Sequence, residues 1–197
     1  MEKLNIAFAA VDPYIEDNII KNVQKEVKGQ EFISYGDKNL YPQYLHDLYE
    51  NVSTLKSIIN GISDYACGEN IKINLPQFSE KINENETIED ICRQIFIDIE
   101  TYGGFALNIL RNKRGDIACI YNLDFRNIRS DKKNTKFYYS ADWSKSYGRV
   151  KTVVYPKFDV NKKDANSIFY YKIDKSNTYP SPVWGGSVVS AECLKHI

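Results

Sequence analysis

At 197 residues the chain is long enough for one domain, or two small ones, with a core of useful size. Its 43% hydrophobic and 26% charged residues exclude wholesale disorder, and no run approaches the ~20 apolar residues of a membrane span. Equal totals of 26 basic and 26 acidic residues conceal a polarity: 9 Lys+Arg against 18 Asp+Glu up to Leu110, then 11 against 4 from Arg111 to Lys151.

Four cysteines, Cys67, Cys92, Cys119 and Cys193, lie far apart with no CxxC or Cys/His cluster, which excludes a familiar zinc site. Three sit among apolar residues and read as buried free thiols in a reducing compartment. Of the fifteen tyrosines eight follow Tyr102, and such residues suit half-buried strand faces.

In chain order, Leu4 to Val11 (LNIAFAAV) imitates a short secretion signal, but Glu2 offsets Lys3 and Asn5 breaks the run, so the chain reads as not secreted. Asp12-Pro13 is a helix start, and Ile15, Ile19, Val23 and Val27 recur every fourth residue up to Gly29. This predicts a helical arm over 1–30. A strand follows from Glu31 to Tyr35, then a turn-rich link, then a helix from Pro42 to about Glu50. Ser53 is the expected cap of a second helix, with Leu55, Ile58, Ile59, Ile62 and Tyr65 on one template and Gly68 as its stop. Gly61 inside that helix suggests a close backbone contact. Ile71, Ile73 and Leu75 predict a strand ending at Pro76. Thr87 and Asp90 form a capping-box variant, opening a helix that buries Ile88, Ile91, Cys92, Ile95 and Ile99.

After Gly103-Gly104 the period shifts towards two. Phe105–Leu110 and Ile117–Leu123 read as a hairpin turned by Arg111-Asn112-Lys113-Arg114-Gly115. Further strands are predicted at Phe125–Arg129, Lys136–Ser140, Val150–Pro156 and Ile168–Ile173. Tyr179-Pro180-Ser181-Pro182-Val183 is extended, because two prolines exclude a helix. From Ser187 helical character resumes and stops at Ile197 within its pattern, as in a truncated chain. The fold class is α+β: N-terminal helices packed on a mainly antiparallel sheet of hairpins. The domains are the arm 1–30, an α+β domain 31–183, and the start of a helix over 184–197.

The chemistry is sparse. His46 and His196 are the only histidines and neither sits in a catalytic motif; GxSxG, HExxH and GxxxxGK[ST] are absent. Tyr102-Gly103-Gly104-Phe105 leads from helix to strand, whereas phosphate cradles precede a helix. Adjacent acids such as Glu89/Asp90 diverge on a helix and cannot converge on a substrate. No catalytic residue, cofactor or metal is expected. The suggestive patch is basic: Arg111, Lys113, Arg114, Arg126, Arg129, Lys132 and Lys133, interleaved with Phe125, Phe137, Tyr138 and Tyr139. It offers candidate contacts to nucleic acid or to neighbouring subunits, and the alternative it defines is a small nucleic-acid-binding module on the basic hairpins of 111–151.

Several segments together look familiar. Tyr35-Gly36-Asp37-Lys38-Asn39-Leu40-Tyr41-Pro42, the helix with Ile58-Ile59-Asn60-Gly61 ending at Gly68, Tyr102-Gly103-Gly104-Phe105-Ala106-Leu107, Asn122 to Arg129, and Tyr179-Pro180-Ser181-Pro182 come in one order. That set, roughly Phe32 to Pro182, resembles the N-terminal part of tailed-bacteriophage portal proteins. The resemblance implies a structural protein: a ring, usually of twelve subunits, at a capsid vertex, through which DNA enters and leaves. This segment would be part of the wing, facing capsid proteins and other portal subunits in a virion or in the infected host's cytoplasm. Terminase and tail adaptor are implied as partners only with the family's C-terminal half, whose stem, clip and channel loop this sequence lacks. DNA contact would be non-specific, and the family has no catalytic residues to carry over.

Overall fold

The computed structural model describes residues 19–68, 71, 81–145 and 150–195. The α+β class holds, with helices packed on antiparallel sheets. Among the described residues, helices α1 (Tyr41–Asn51), α2 (Ser53–Cys67), α3 (Ile88–Tyr102) and α4 (Val188–Lys195) accompany eight strands. The first small sheet pairs β1 (Gln24–Glu26) with β2 (Ile33–Tyr35). A second has the order β4 (Ile117–Asn122), β3 (Gly104–Arg111), β8 (Asn166–Lys172), and a third the order β5 (Ile128–Ser130), β6 (Lys136–Tyr139), β7 (Val153–Pro156). Every strand pair in these sheets is antiparallel.

Proline in the first turn of α1 costs no hydrogen bond, and the helix buries Tyr41, Tyr44, Leu45, Leu48 and Tyr49. A single extended residue, buried Val52, separates α1 from α2. The expected cap at Ser53 is therefore corrected. Val52 occupies the cap position without a side-chain bond, and its side chain is buried in the main core instead. The single template expected on α2 also divides. Ile59 is buried, whereas Ile58, Ile62 and Tyr65 are exposed, and Gly61 meets nothing within 4 Å. In α3 the box is complete: Thr87 accepts from the Asp90 amide, and the Asp90 carboxylate accepts from the Thr87 amide.

Gly103 closes α3 in the left-handed region at φ 83°, and β3 begins at once. A β-carbon on Gly103 would lie 2.2 Å from the Ser181 carbonyl oxygen, and one on Gly104 2.4 Å from that of Tyr171. The double glycine exists because two other segments cross here. On one face of β4-β3-β8, Leu107, Ile117 and Ile120 pack with Ile82, Ile91 and Ile95, under α3. On the other, Ala106, Ile168 and Tyr170 meet Phe137 from the third sheet and Phe125 from the turn that precedes it, and the main core lies between.

Other expectations are revised. Phe125–Arg129 is not one strand: a single 3-10 turn, Phe125–Asn127, precedes β5, because the Asp124 carboxylate accepts from the Arg126 amide and caps the turn. Ile19 to Val23 has no helical structure, and the helix expected to run through Val27 is replaced by β1. Pairing with β2 wins over the four-residue stripe, and the Gln24 amide locks the strand by exchanging two hydrogen bonds with the Tyr179 backbone. Residues 12–18 of that arm, and the strand predicted at Ile73 and Leu75, lie outside the described residues. The cysteines are free but half-buried rather than buried. No described helix is long and apolar enough to cross a membrane.

Candidate functional site

Four of the sequence segments singled out above meet in one buried knot. Tyr35, wholly buried, stacks on Tyr179 with ring centroids 4.2 Å apart and planes within 6°. Its hydroxyl donates to the Pro180 carbonyl at 2.6 Å. The Tyr179 hydroxyl accepts from the Ser130 amide at 2.8 Å and donates to the Ile33 carbonyl, which ties β2, β5 and the Tyr-Pro segment together. Burial pushes both phenols above their ordinary range. Gly103 and Gly104 close the knot from beneath through their contacts with Ser181 and Pro180.

Arg129 is the knot's charged centre, with no exposed surface. Its Nε donates to Asn39 Oδ1 and its Nη2 to the Asn39 carbonyl, both at 2.6 Å. Its Nη1 donates to the Ile128 carbonyl at 2.7 Å and the Arg126 carbonyl at 2.9 Å. The Trp143 ring lies 4.9 Å from the guanidinium carbon. Lys38 and Asn39 adopt φ of 57° and 62°, a left-handed pair that aims the Asn39 side chain inwards, where Oδ1 also accepts from the Tyr35 amide. Burial lowers the Arg129 pKa to about 10, so the cation persists at neutral pH among neutral ligands.

The seven candidate cations are thus dispersed. Arg129 is an interior residue and presents no charge to a partner. Arg126 clasps Asp124 through Nε at 2.8 Å and Nη2 at 2.6 Å, and Lys132 pairs with Glu26 at 2.7 Å. Arg111 donates to the Gly115 carbonyl at 2.7 Å, bracing the hairpin, and lies over the Phe158 ring. Lys113, Arg114 and Lys133 are exposed, and no ion pair engages them among the described residues. Of the interleaved aromatics, Phe125, Phe137 and Tyr138 are buried, so they cannot stack on bases.

A second polar cluster joins α1, α3 and β4. Asn122 donates to Asp98 at 2.7 Å, and Tyr102 Oη approaches His46 Nδ1 at 3.3 Å. Desolvation pushes the Asp98 carboxyl up to about 7; Asp124 raises it further and the Asn122 bond opposes the rise. Burial drives the Tyr102 phenol up and His46 down. Tyr102 is consequently a poor nucleophile, and His46 contacts Tyr102 and the Tyr49 ring. Among the described residues no group of three His, Cys, Asp or Glu could hold a metal ion. The arrangement braces helices and does not assemble a reacting pair.

Sequence reasoning missed two exposed apolar faces. One is a groove of about 350 Å³ between α2 and α4, lined by Leu55, Ile58, Ile62, Trp184 and Leu194. Its α4 wall is fixed to α1: Tyr44 donates to Glu192 at 3.0 Å, and Lys195 binds Asp47. Trp184 Nε1 donates to the Glu100 carbonyl at 2.8 Å, fixing the floor to α3. The second face is the flank of the sheet that α3 leaves uncovered. Phe105 stacks on Tyr171 opposite it, Phe169 lies one register step on, and Phe158 meets Phe169 edge-on. The alternation of β8 was visible in sequence, but Phe169 pairs with Leu107 on the same face that α3 covers, and how much of that face stays open along β8 depends on where α3 lands.

No protein-family model matches the sequence, and no curated protein matches it. Among solved structures, a chain from the neck of an empty GTA particle computed with C6 symmetry is similar at 12% identity and a TM-score of 0.48. The match covers 79% of this chain and 43% of that one, so the chain spans less than half the length of this distant neighbour.

Proposed function

We propose that the chain is a structural subunit of a tailed-phage particle, the wing portion of a portal-type ring, working through contacts with further copies and with capsid proteins. The observation that carries this reading is the knot. Tyr35–Pro42, Asn122–Arg129 and Tyr179–Pro182, three of the segments that resemble portal proteins, are far apart in sequence yet are tied together around Arg129, and Gly103-Gly104, a fourth, packs closely against Pro180 and Ser181. Motifs that specify a frame should behave in this way, whereas motifs that serve a reaction should converge on an accessible cavity. The boundaries 31–183 and 184–197 belong to the same proposal, with the arm 1–30 as its N-terminal appendage. Contact with DNA is non-specific, through exposed cations such as Lys113, Arg114 and Lys133.

Sedimentation velocity and native mass spectrometry at high concentration and low salt test the proposal. Assemblies of several copies are expected, and a monomer throughout would overturn it. A tight gel shift with a steep salt slope would favour the nucleic-acid module instead.

A further inference from the structure

The two uncovered apolar faces differ in their electrostatic setting. Among the described residues, the charged residue lining the groove is the acidic Glu100, whereas the end of the aromatic strip is flanked by Arg111, Lys157 and Lys162, against one acid, Asp159. Ile58 is 54% exposed and Ile62 44%, while on the strip Phe169 is 38% exposed and Tyr171 43%. Large apolar groups left this open, in a chain that hides Arg129 completely, mark surfaces made to be covered. The groove has the concavity, with Trp184 and Leu194 as walls, and the strip has the protruding rings. At the strip's end, Arg111 rests on Phe158 and Lys157 follows β7.

We infer that the occupant of the groove is a second copy of this chain, which seats its β8 aromatic strip between α2 and α4. The inference rests on the ring-subunit reading and names the surfaces involved. Charge selects the pairing. Groove on groove would bring Glu100 towards its own copy, and strip on strip would bring Arg111, Lys157 and Lys162 towards theirs; only groove on strip joins opposite signs. A contact between two different surfaces propagates from copy to copy, as a ring requires, and does not stop at a self-complementary pair. Salt weakens the charge term within a Debye length and leaves the apolar term in place.

The test uses two variants of the full chain, Ile62→Arg in the groove and Phe169→Ser on the strip, with Tyr171→Ser in reserve should Phe169→Ser fail to fold by circular dichroism. The wild type should form a concentration-dependent series extending beyond the dimer, weaker at high salt. Each variant alone should dissociate at least tenfold more readily. Mixed together they should give a heterodimer and nothing larger, since one intact groove meets one intact strip. Wild-type assembly that stops at the dimer overturns head-to-tail propagation. Variants that assemble like the wild type overturn this choice of surfaces and leave the ring reading standing, as does a mixture that yields no heterodimer. A wild type that stays monomeric overturns both.

Discussion

The knot around Arg129 and the flank between α2 and α4 solve opposite problems. In the knot, a guanidinium buried from solvent finds Asn39, Ile128 and Arg126 oxygens at hydrogen-bond distance, and two stacked tyrosines seal it. The guanidinium's hydrogen bonds are all made within the chain, whereas the Trp143 indole N–H beside it is buried without a partner among the described residues. On the flank, Ile58, Ile62 and Leu194 remain half in water, although α4 is firmly held by Tyr44 and Asp47. The first region is closed within one copy; the second has a rigid shape and no cover among the described residues. Stability should therefore reside in the knot and association on the flank, and substitutions should separate the two.

The largest effect should come from the knot's centre. Arg129→Met removes the donors and leaves the Asn39, Ile128 and Arg126 carbonyls facing an apolar interior. A loss of about 3–5 kcal/mol is expected, the size seen when a buried charged network is broken. Arg129→Lys should rescue little, because one ammonium cannot reproduce a planar fork that reaches Asn39 twice. Urea unfolding midpoints measure both. A loss below about 1 kcal/mol for Arg129→Met would remove the knot from the account of stability.

Next comes Asp98, half-buried and poorly supplied, with one bond from Asn122 and Asp124 nearby. Its carboxyl titrates at about 7 in the folded chain against 3.8 ordinarily. A raised acid binds its proton more tightly when folded, so this stabilisation is full below about pH 4. It drains away as pH rises through about 7, by up to roughly 1.4 kcal/mol per pH unit. Denaturation profiles between pH 5 and 8 should show that decline, and Asp98→Asn should flatten it. An unchanged slope in the variant would assign the titration elsewhere.

Gly103→Ala probes the knot's edge. The left-handed φ of 83° and the Ser181 carbonyl 2.2 Å from the new methyl must both be accommodated. A cost of about 1–3 kcal/mol is expected, and Gly61→Ala, with open space around it, serves as the control that should stabilise slightly.

Much of the frame was legible in the sequence for reasons that remain local. The Thr87–Asp90 box, Gly68, Pro42 and the β3–β4 turn each follow from neighbours a few residues away. The failures are where distant chain overrules local pattern. The stripe through Ile19 and Val23 fits a helix, but β2 and Tyr179 recruit Gln24 into a strand. Arg129 has the composition of a surface cation beside Arg126, and only the fold brings Asn39 to it from ninety residues away. Ile58 and Ile59 obey one periodicity in the sequence. Which of them faces inwards is set by α3 and α4, and no local rule contains that.

The smallest expected effect is the most informative about the flank. Ile58→Ser removes an exposed side chain from the groove wall and should change the stability of the isolated copy by no more than about 0.5 kcal/mol, because little buried contact is lost. Ile59→Ser, one residue along and 2% exposed, should cost about 3 kcal/mol or more, since it opens a cavity and buries a hydroxyl. Unfolding at low concentration, where copies are separate, measures these intrinsic values. At high concentration the gap should narrow, because Ile58→Ser also loses the stabilisation that association lends the folded state, while Ile59→Ser loses none of its own at the interface. A gap that is the same at both concentrations would mean that Ile58 faces water in the assembled state too, and the α2–α4 flank would no longer count as unfinished.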